Sequence, residues 1–182
     1  MMISKIVAVI PARMGSSRYP GKPLLDIENI PMIEHVRRRA LLCEGFSKVL
    51  VATCDIEIKN IVESFGGDVI MTSDTHEIAT ERIVEAINNI DCTHVVNVQG
   101  DEILILPSDL NLMVKAMKNE PDGNVWNAVG NINSMDDLID LSIVNCAVTK
   151  NGDIIFFCRN FSKFGSETHN KLNPIHINLG IL

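Results

Sequence analysis

KIVAVIPARMGSSRYPGKP, residues 5–23, joins a short apolar, β-branched run to a loop that carries Arg13, Arg18 and Lys22 and no acidic residue. Such a run reads as a strand buried on both faces, and the loop at its carboxyl end lies where open parallel sheets place their ligands. Gly15, Gly21 and Lys22 invite comparison with a Walker loop, but the spacing excludes it. Five residues, Ser16 to Pro20, separate Gly15 from Gly21 where a Walker loop has four, and Pro23 replaces the Ser or Thr that would meet magnesium. Proline also lacks the backbone N–H that a helix N-terminus offers to phosphate. The fingerprint G-x-G-x-x-G is absent as well. What remains is a stiff basic loop with the hydroxyls of Ser16 and Ser17, read either as an anion site or as a solvated turn.

Working outward, KVLVAT (48–53), DVIM (68–71) and THVVNV (93–98) repeat the pattern of the first run. Segments with helical spacing separate them, which predicts a strand–helix alternation and a parallel sheet. Pro31 opens the first helix, with Ile33, Val36, Ala40 and Leu41 on its apolar side. Asp55 is the expected N-cap of the next, which ends at Gly66-Gly67 and turns Ile58, Ile61, Val62 and Phe65 to the core. Two more helices are predicted over about 78–90 and 108–119. Beyond Pro121-Asp122-Gly123 the pattern changes to a strand-like VWNAVGNI (125–132) and a short helical DDLIDL (136–141). NCAVT and IIFFC follow, joined through Asn151-Gly152 as in a hairpin. The expectation is one α/β domain over 1–182: a Rossmann-like, mostly parallel sheet with flanking helices, and a mixed or antiparallel C-terminal part built onto the edge of that sheet. The apolar ending IHINLGIL predicts a missing C-terminal segment.

A net charge of −7 speaks against a nucleic-acid surface, which needs a clustered basic face. Ile6 to Ile10 is far too short to cross a membrane or to serve as a signal-peptide core, so no membrane insertion and a cytoplasmic location are expected. Five scattered cysteines, none spaced C-x-x-C, predict reduced and mostly buried thiols. His35, beside Arg37, Arg38 and Arg39, reads as part of a solvated basic face. Met113, Met117 and Trp126 read as packing residues.

The fourth strand runs directly into Gln99-Gly100-Asp101-Glu102. A carboxylate there would open onto the same sheet edge as the basic loop, the arrangement by which Mg²⁺ bridges a protein to phosphates. Asp101 is therefore the candidate metal ligand. Taken alone, Asp101-Glu102 reads more readily as a turn capping the following element than as a metal site; opposite a basic loop, the metal reading is preferred.

P-A-R-x-x-S-S-R-x-P-G-K-P and V-N-V-Q-G-D-E together resemble the 3-deoxy-manno-octulosonate cytidylyltransferase (CMP-Kdo synthetase) family. GGDVIMTS with THEIATER, and the hairpin ending in Phe157-Cys158-Arg159, are similar too. The resemblance implies a nucleotidyltransferase with Mg²⁺ as cofactor. In it the 2-hydroxyl of an acidic eight-carbon sugar attacks the α-phosphate of CTP, giving a CMP-sugar and pyrophosphate for lipopolysaccharide or surface polysaccharide. Carried over by position, Pro11 and Ala12 would face the nucleobase, and Arg13, Ser16 and Lys22 would hold the triphosphate. Arg13 and Lys22 would also stabilise charge developing in the reaction. Thr80 belongs to the nucleotide side, Asp101 to the metal, and Gln99, Arg159 and Asn178 to the sugar. The family resemblance makes 1–120 the nucleotide-binding part and 121–182 an incomplete sugar-side part, and implies a homodimer.

Departures from the family pattern bear on specificity. Ile78 and Ala79 stand where the family carries a hydroxyl and a glycine, and Asn178 where it carries a histidine before Leu179-Gly180-Ile181. A different base, a different acidic sugar or a sugar phosphate are the alternatives these changes raise. The family's second metal-binding aspartate lies beyond the last residue, so a catalytically weak nucleotide-binding homologue is a further alternative.

Overall fold

The structure is a computed structural model that describes residues 5–15, 19–120, 122–132, 134 and 136–159, and the backbone of Ile175–Asn178. The chain divides into two compact units, Met1–Trp126 and Asn127–Ile181.

The first unit is built on four parallel strands, β1 (Ile6–Ala12), β4 (Lys48–Thr53), β5 (Asp68–Met71) and β6 (His94–Asn97), in the order β5-β4-β1-β6. β1 is buried at all seven positions, as its apolar sequence requires. Val7 and Val9 of β1 pack with Leu50 and Ala52 of β4 against Ile83 and Ala86 of α3 (Ala79–Ile87). Alternation turns Ile6, Ala8 and Ile10 to the opposite face, which is also fully covered. The helices α1 (Met32–Leu41), α2 (Ile56–Ser64) and α4 (Pro107–Asn119) contribute Ile33, Val36, Ala40, Ile58, Val62 and Leu110 to the core. β5 is an edge strand, with Asp68 and Met71 exposed. A two-residue hairpin that the sequence reading did not anticipate, β2 (Asp26–Ile27) and β3 (Ile30–Pro31), turns through Glu28 and Asn29, both at positive φ.

Two local expectations fail in α1. Leu41, the last residue of the helix, is exposed, turned off the buried stripe formed by Ile33, Val36 and Ala40. Arg37 lies on the buried side instead of in a solvated basic face. Its guanidinium makes two hydrogen bonds to the fully buried Glu34 carboxylate (2.6 and 2.9 Å), and Arg38 supplies a third (2.7 Å). Arg37 also donates to the Phe65 carbonyl (3.1 Å), satisfying the end of α2. His35 is half-buried, with Nε2 2.8 Å from the Ile27 carbonyl oxygen.

In the second unit, β7 (Val129–Asn131), β8 (Asn145–Val148), β9 (Ile154–Cys158) and β10 (Ile175–Asn178) pair in the order β7-β10-β8-β9, all antiparallel. The strands after residue 126 thus form a sheet of their own rather than an extension of the parallel one. The hairpin β8–β9 forms as expected, with Gly152 at φ 93° in its turn. β8 is largely buried while β9 alternates exposed and half-buried residues, the mark of an antiparallel sheet with one solvated face. The expected strand 125–132 shortens to Val129–Asn131, and the helical DDLIDL to a 3-10 turn at Asp136–Leu138.

Among the described residues no helix is long and apolar enough to cross a membrane. Of the five cysteines, Cys43 and Cys146 are buried and Cys54, Cys92 and Cys158 half-buried.

Candidate active site

The strand order creates the site. From β1 the chain moves to β4 and β5 on one side, then returns to place β6 on the other, so that β1 and β6 flank a topological switch point. Pairing between them runs from Ile6 with His94 to Val9 with Asn97, and one further bond joins the Val98 amide to the Val9 carbonyl (3.0 Å). Pro11, which has no N–H to offer, comes just after this ladder ends. The loops after β1 and β6 follow the carboxyl ends of these neighbouring parallel strands, and so lie at one edge of the sheet.

The basic loop is closed at its base. The Gly21 amide donates to the Met14 carbonyl (2.9 Å), with Gly21 at φ 76°, a conformation glycine adopts without penalty. A 3-10 turn, Lys22–Leu24, follows with Pro23 buried beneath it. On the opposite wall Gly100 sits so close to β1 that a Cβ there would lie 2.7 Å from the Pro11 carbonyl oxygen. This contact brings Asp101 to the basic loop, where its Oδ2 lies 2.6 Å from Lys22 Nζ. The pair is partly exposed, 37% and 46% by side chain, so it adds on the order of 1 kcal/mol or less to stability. Burial first, and the neighbouring Asp101 carboxylate second, push the Glu102 carboxyl above its ordinary range, with Lys22 opposing.

A cleft of about 240 Å³ lies between these loops. Pro11 and Ala12 line it from β1, Arg13 and Lys22 from the basic loop, and Gln99, Gly100 and Asp101 from beyond β6. Its third wall is His76, Glu77, Ile78 and Ala79, from the β5–α3 loop and the start of α3. Ile78 is 58% exposed there, so an apolar side chain faces the opening. Arg82 also borders the cleft but is buried, donating to the Thr72 hydroxyl and to the Ser73 carbonyl (3.2 Å).

Pro11, Ala12, Arg13, Lys22, Gln99 and Asp101 are therefore brought together. Thr80 is not among the residues lining this cleft; it borders a separate apolar cavity of about 390 Å³ with Ile83, Val96 and Met113. Ser16 lies outside the described residues, as does the side chain of Asn178, whose backbone belongs to β10. Arg159 follows β9 in the second unit and donates to the carbonyls of Leu141 and Ser142 (3.1 Å each).

Asp55 has a role the sequence did not reveal. It occupies the N-cap position of α2 but makes no side-chain cap. Its carboxylate accepts the Met14 amide hydrogen instead (2.8 Å), tying the basic loop to the end of β4. Nothing in a residue's local pattern distinguishes an Asp that caps its own helix from one that reaches another loop.

Residues 7–179 match the model of the family described as Cytidylyltransferase. The chain belongs to the cytidylyltransferase family. Among its relatives is the 3-deoxy-manno-octulosonate cytidylyltransferase of Escherichia coli, 41% identical over 86% of this chain and 63% of that protein. The 8-amino-3,8-dideoxy-manno-octulosonate cytidylyltransferase of Shewanella baltica strain OS185 is 38% identical over 97% of this chain and 73% of that one. A solved CMP:2-keto-3-deoxy-manno-octonic acid synthetase complexed with CTP superposes with a TM-score of 0.89 at 37% identity, covering 98% of this chain and 73% of that one. Against the first three curated relatives the chain spans 62–66% of their length. The family resemblance read from the basic loop and V-N-V-Q-G-D-E is thereby borne out, as is the α/β fold with its antiparallel C-terminal part.

Proposed function

We propose that this cytidylyltransferase transfers CMP from CTP to an acidic sugar, 3-deoxy-manno-octulosonate or a close analogue, for lipopolysaccharide or surface polysaccharide. The sugar 2-hydroxyl oxygen forms a bond to the α-phosphorus and gives up its proton to solvent, the bond to the bridging oxygen of the β-phosphate breaks, and pyrophosphate leaves with the electron pair. The observation that carries this reading is the meeting of Lys22 and Asp101 at the switch-point cleft, beside Arg13 and the end of β1. Two cations and a carboxylate at the mouth of a crevice suit a triphosphate, and in-line phosphoryl transfer needs positioning and charge stabilisation rather than a protein nucleophile.

Arg13 and Lys22 hold the triphosphate and stabilise the charge that grows on the leaving group. Pro11 and Ala12 present backbone to the base, and Gln99 faces the acceptor. The sugar-side roles of Arg159 and Asn178 rest on sequence resemblance alone. Among the described residues there is no cluster of three or more His, Cys, Asp or Glu placed to hold a metal. Asp101, the carboxylate that lines the cleft beside Lys22, would hold Mg²⁺, an ion that takes one or two carboxylates alongside substrate phosphates. When bound, Mg²⁺ would neutralise phosphate charge. A homodimer and a cytoplasmic location belong to the same reading.

A second reading concerns the substrate pair. Ile78, exposed on the cleft wall, and Ala79 favour a different base preference or acceptor, such as the 8-amino octulosonate, another acidic sugar or a sugar phosphate. Incubation with Mg²⁺, each of the four NTPs and a panel of acidic sugars, followed by pyrophosphate release, separates the readings. Release with CTP and an octulosonate alone supports the first; release with another base or acceptor supports the second; CTP binding without release marks a weak nucleotide-binding homologue. Arg13→Ala is expected to abolish turnover, and full activity in that variant would overturn the assignment of the loop.

A further inference from the structure

The segment 72–78, which leads into the cleft's third wall, is held by side chains of α3. The Ser73 amide donates to both carboxylate oxygens of Glu85 (3.1 and 2.9 Å). Glu85 Oε2 also meets Nε2 of His76 in an ion-pair contact when the ring is protonated. The Glu77 amide donates to Glu81 (3.3 Å), and Arg82 holds Thr72 and the Ser73 carbonyl. Glu81, Arg82 and Glu85 follow one another on the first two turns of α3, so this helix acts as a rack for the loop. A hydrogen bond links the loop in turn to Arg13: the His76 carbonyl accepts a long bond from Arg13 Nη1 (3.4 Å).

We infer that Glu85 is a positioning residue: by holding the His76 ring and the Ser73 amide together, it sets the His76 carbonyl that aims Arg13 into the cleft. The inference rests on the reading of Arg13 as a triphosphate ligand. It adds a residue that does not itself line the cleft. The Glu85 carboxyl is held below its ordinary range, first by the Ser73 amide and then by His76, so it remains an ionised acceptor at neutral pH. Its side chain is 38% exposed on a helix surface, and Glu85→Gln keeps its shape, so the variant is expected to fold.

The test compares wild type and Glu85→Gln in two measurements. In the first, NMR of the ligand-free protein follows the Arg13 Nε–H resonance and exchange of the Ser73 amide. In the second, calorimetry gives the Mg²⁺·CTP dissociation constant. The expected result is a shifted Arg13 resonance, faster Ser73 exchange and binding weakened about tenfold, the scale of one charge-assisted hydrogen bond. An unmoved Arg13 resonance overturns the inference whatever happens to binding, because a merely structural Glu85 would leave it in place. A shifted resonance with unchanged binding overturns the claim that the aim of Arg13 matters. If the wild type binds no CTP, the proposed function fails, and the Arg13 resonance still decides whether Glu85 positions Arg13.

Discussion

The Asp55 carboxylate accepts the Met14 amide hydrogen at 2.8 Å, while the Met14 carbonyl accepts the Gly21 amide hydrogen at 2.9 Å. Met14 is thus fixed on both sides of its peptide planes, and the basic loop leaves and returns through it. Asp55→Ala removes a partly buried ionised acceptor and is expected to cost about 1.5–3 kcal/mol in urea unfolding. CTP affinity should fall with it, whereas Asp55→Asn, which keeps a carbonyl acceptor, should lose less of both. Unaltered CTP affinity in Asp55→Ala would show that the loop holds its shape without this tie.

Gly100 tests the closeness of the two walls. A methyl group there meets backbone, the Pro11 carbonyl oxygen at 2.7 Å, and backbone cannot swing aside as a side-chain tip can. Gly100→Ala is expected to destabilise by about 1–3 kcal/mol and to push Asp101 away from Lys22, weakening nucleotide binding. Denaturant titration and calorimetry measure the two effects, and a neutral substitution would mean that the walls stand further apart.

Glu34 is the buried centre of the α1 network, and Arg37 beside it is only 8% exposed by side chain. Glu34→Ala leaves the Arg37 cation buried without its partner, which costs about 3–5 kcal/mol. The expected readout is a large drop in the denaturation midpoint. Retention of the wild-type midpoint would be incompatible with a buried ion pair.

Glu102 makes a pH-dependent prediction. Its folded-state pKa is raised, so the folded protein binds its proton more tightly than the unfolded chain does. The stability this contributes is present below the ordinary glutamate range and is lost as pH rises through the raised value. Glu102→Gln should therefore be more stable than wild type at neutral pH, with the difference shrinking toward acid. Parallel melting curves from pH 4 to pH 8, a span of about the ordinary glutamate value upward, check it; a constant difference would exclude titration of this carboxyl as the cause.

The parallel strands were legible because they are continuous apolar runs. KVLVAT and DVIM begin and end in the structure where their apolar pattern does. Burial on both faces, complete in β1, leaves a strand no polar positions, and that is a local property of the chain. The two loops that make the cleft were legible for the same reason: each follows such a strand directly. Local pattern also sufficed for the hairpin at Asn151-Gly152.

Position in space was not legible. Arg37 and Arg38 look alike in the sequence, yet one is buried against Glu34 and the other half-exposed, because the sheet covers only one side of α1. Whether the C-terminal strands extend the parallel sheet or pair among themselves depends on which partner strand completes their hydrogen bonds, and β10 supplies it. Asp55, Glu85 and Gly100 act through contacts with residues 41, 9 to 12 and 89 positions away. The sequence by itself determined the family, the sheet and the charged residues that the two loops carry. Only the tertiary structure decided that the loops meet at 2.6 Å and which side chains hold them there, since such contacts exist only once the strand order β5-β4-β1-β6 has brought distant segments together.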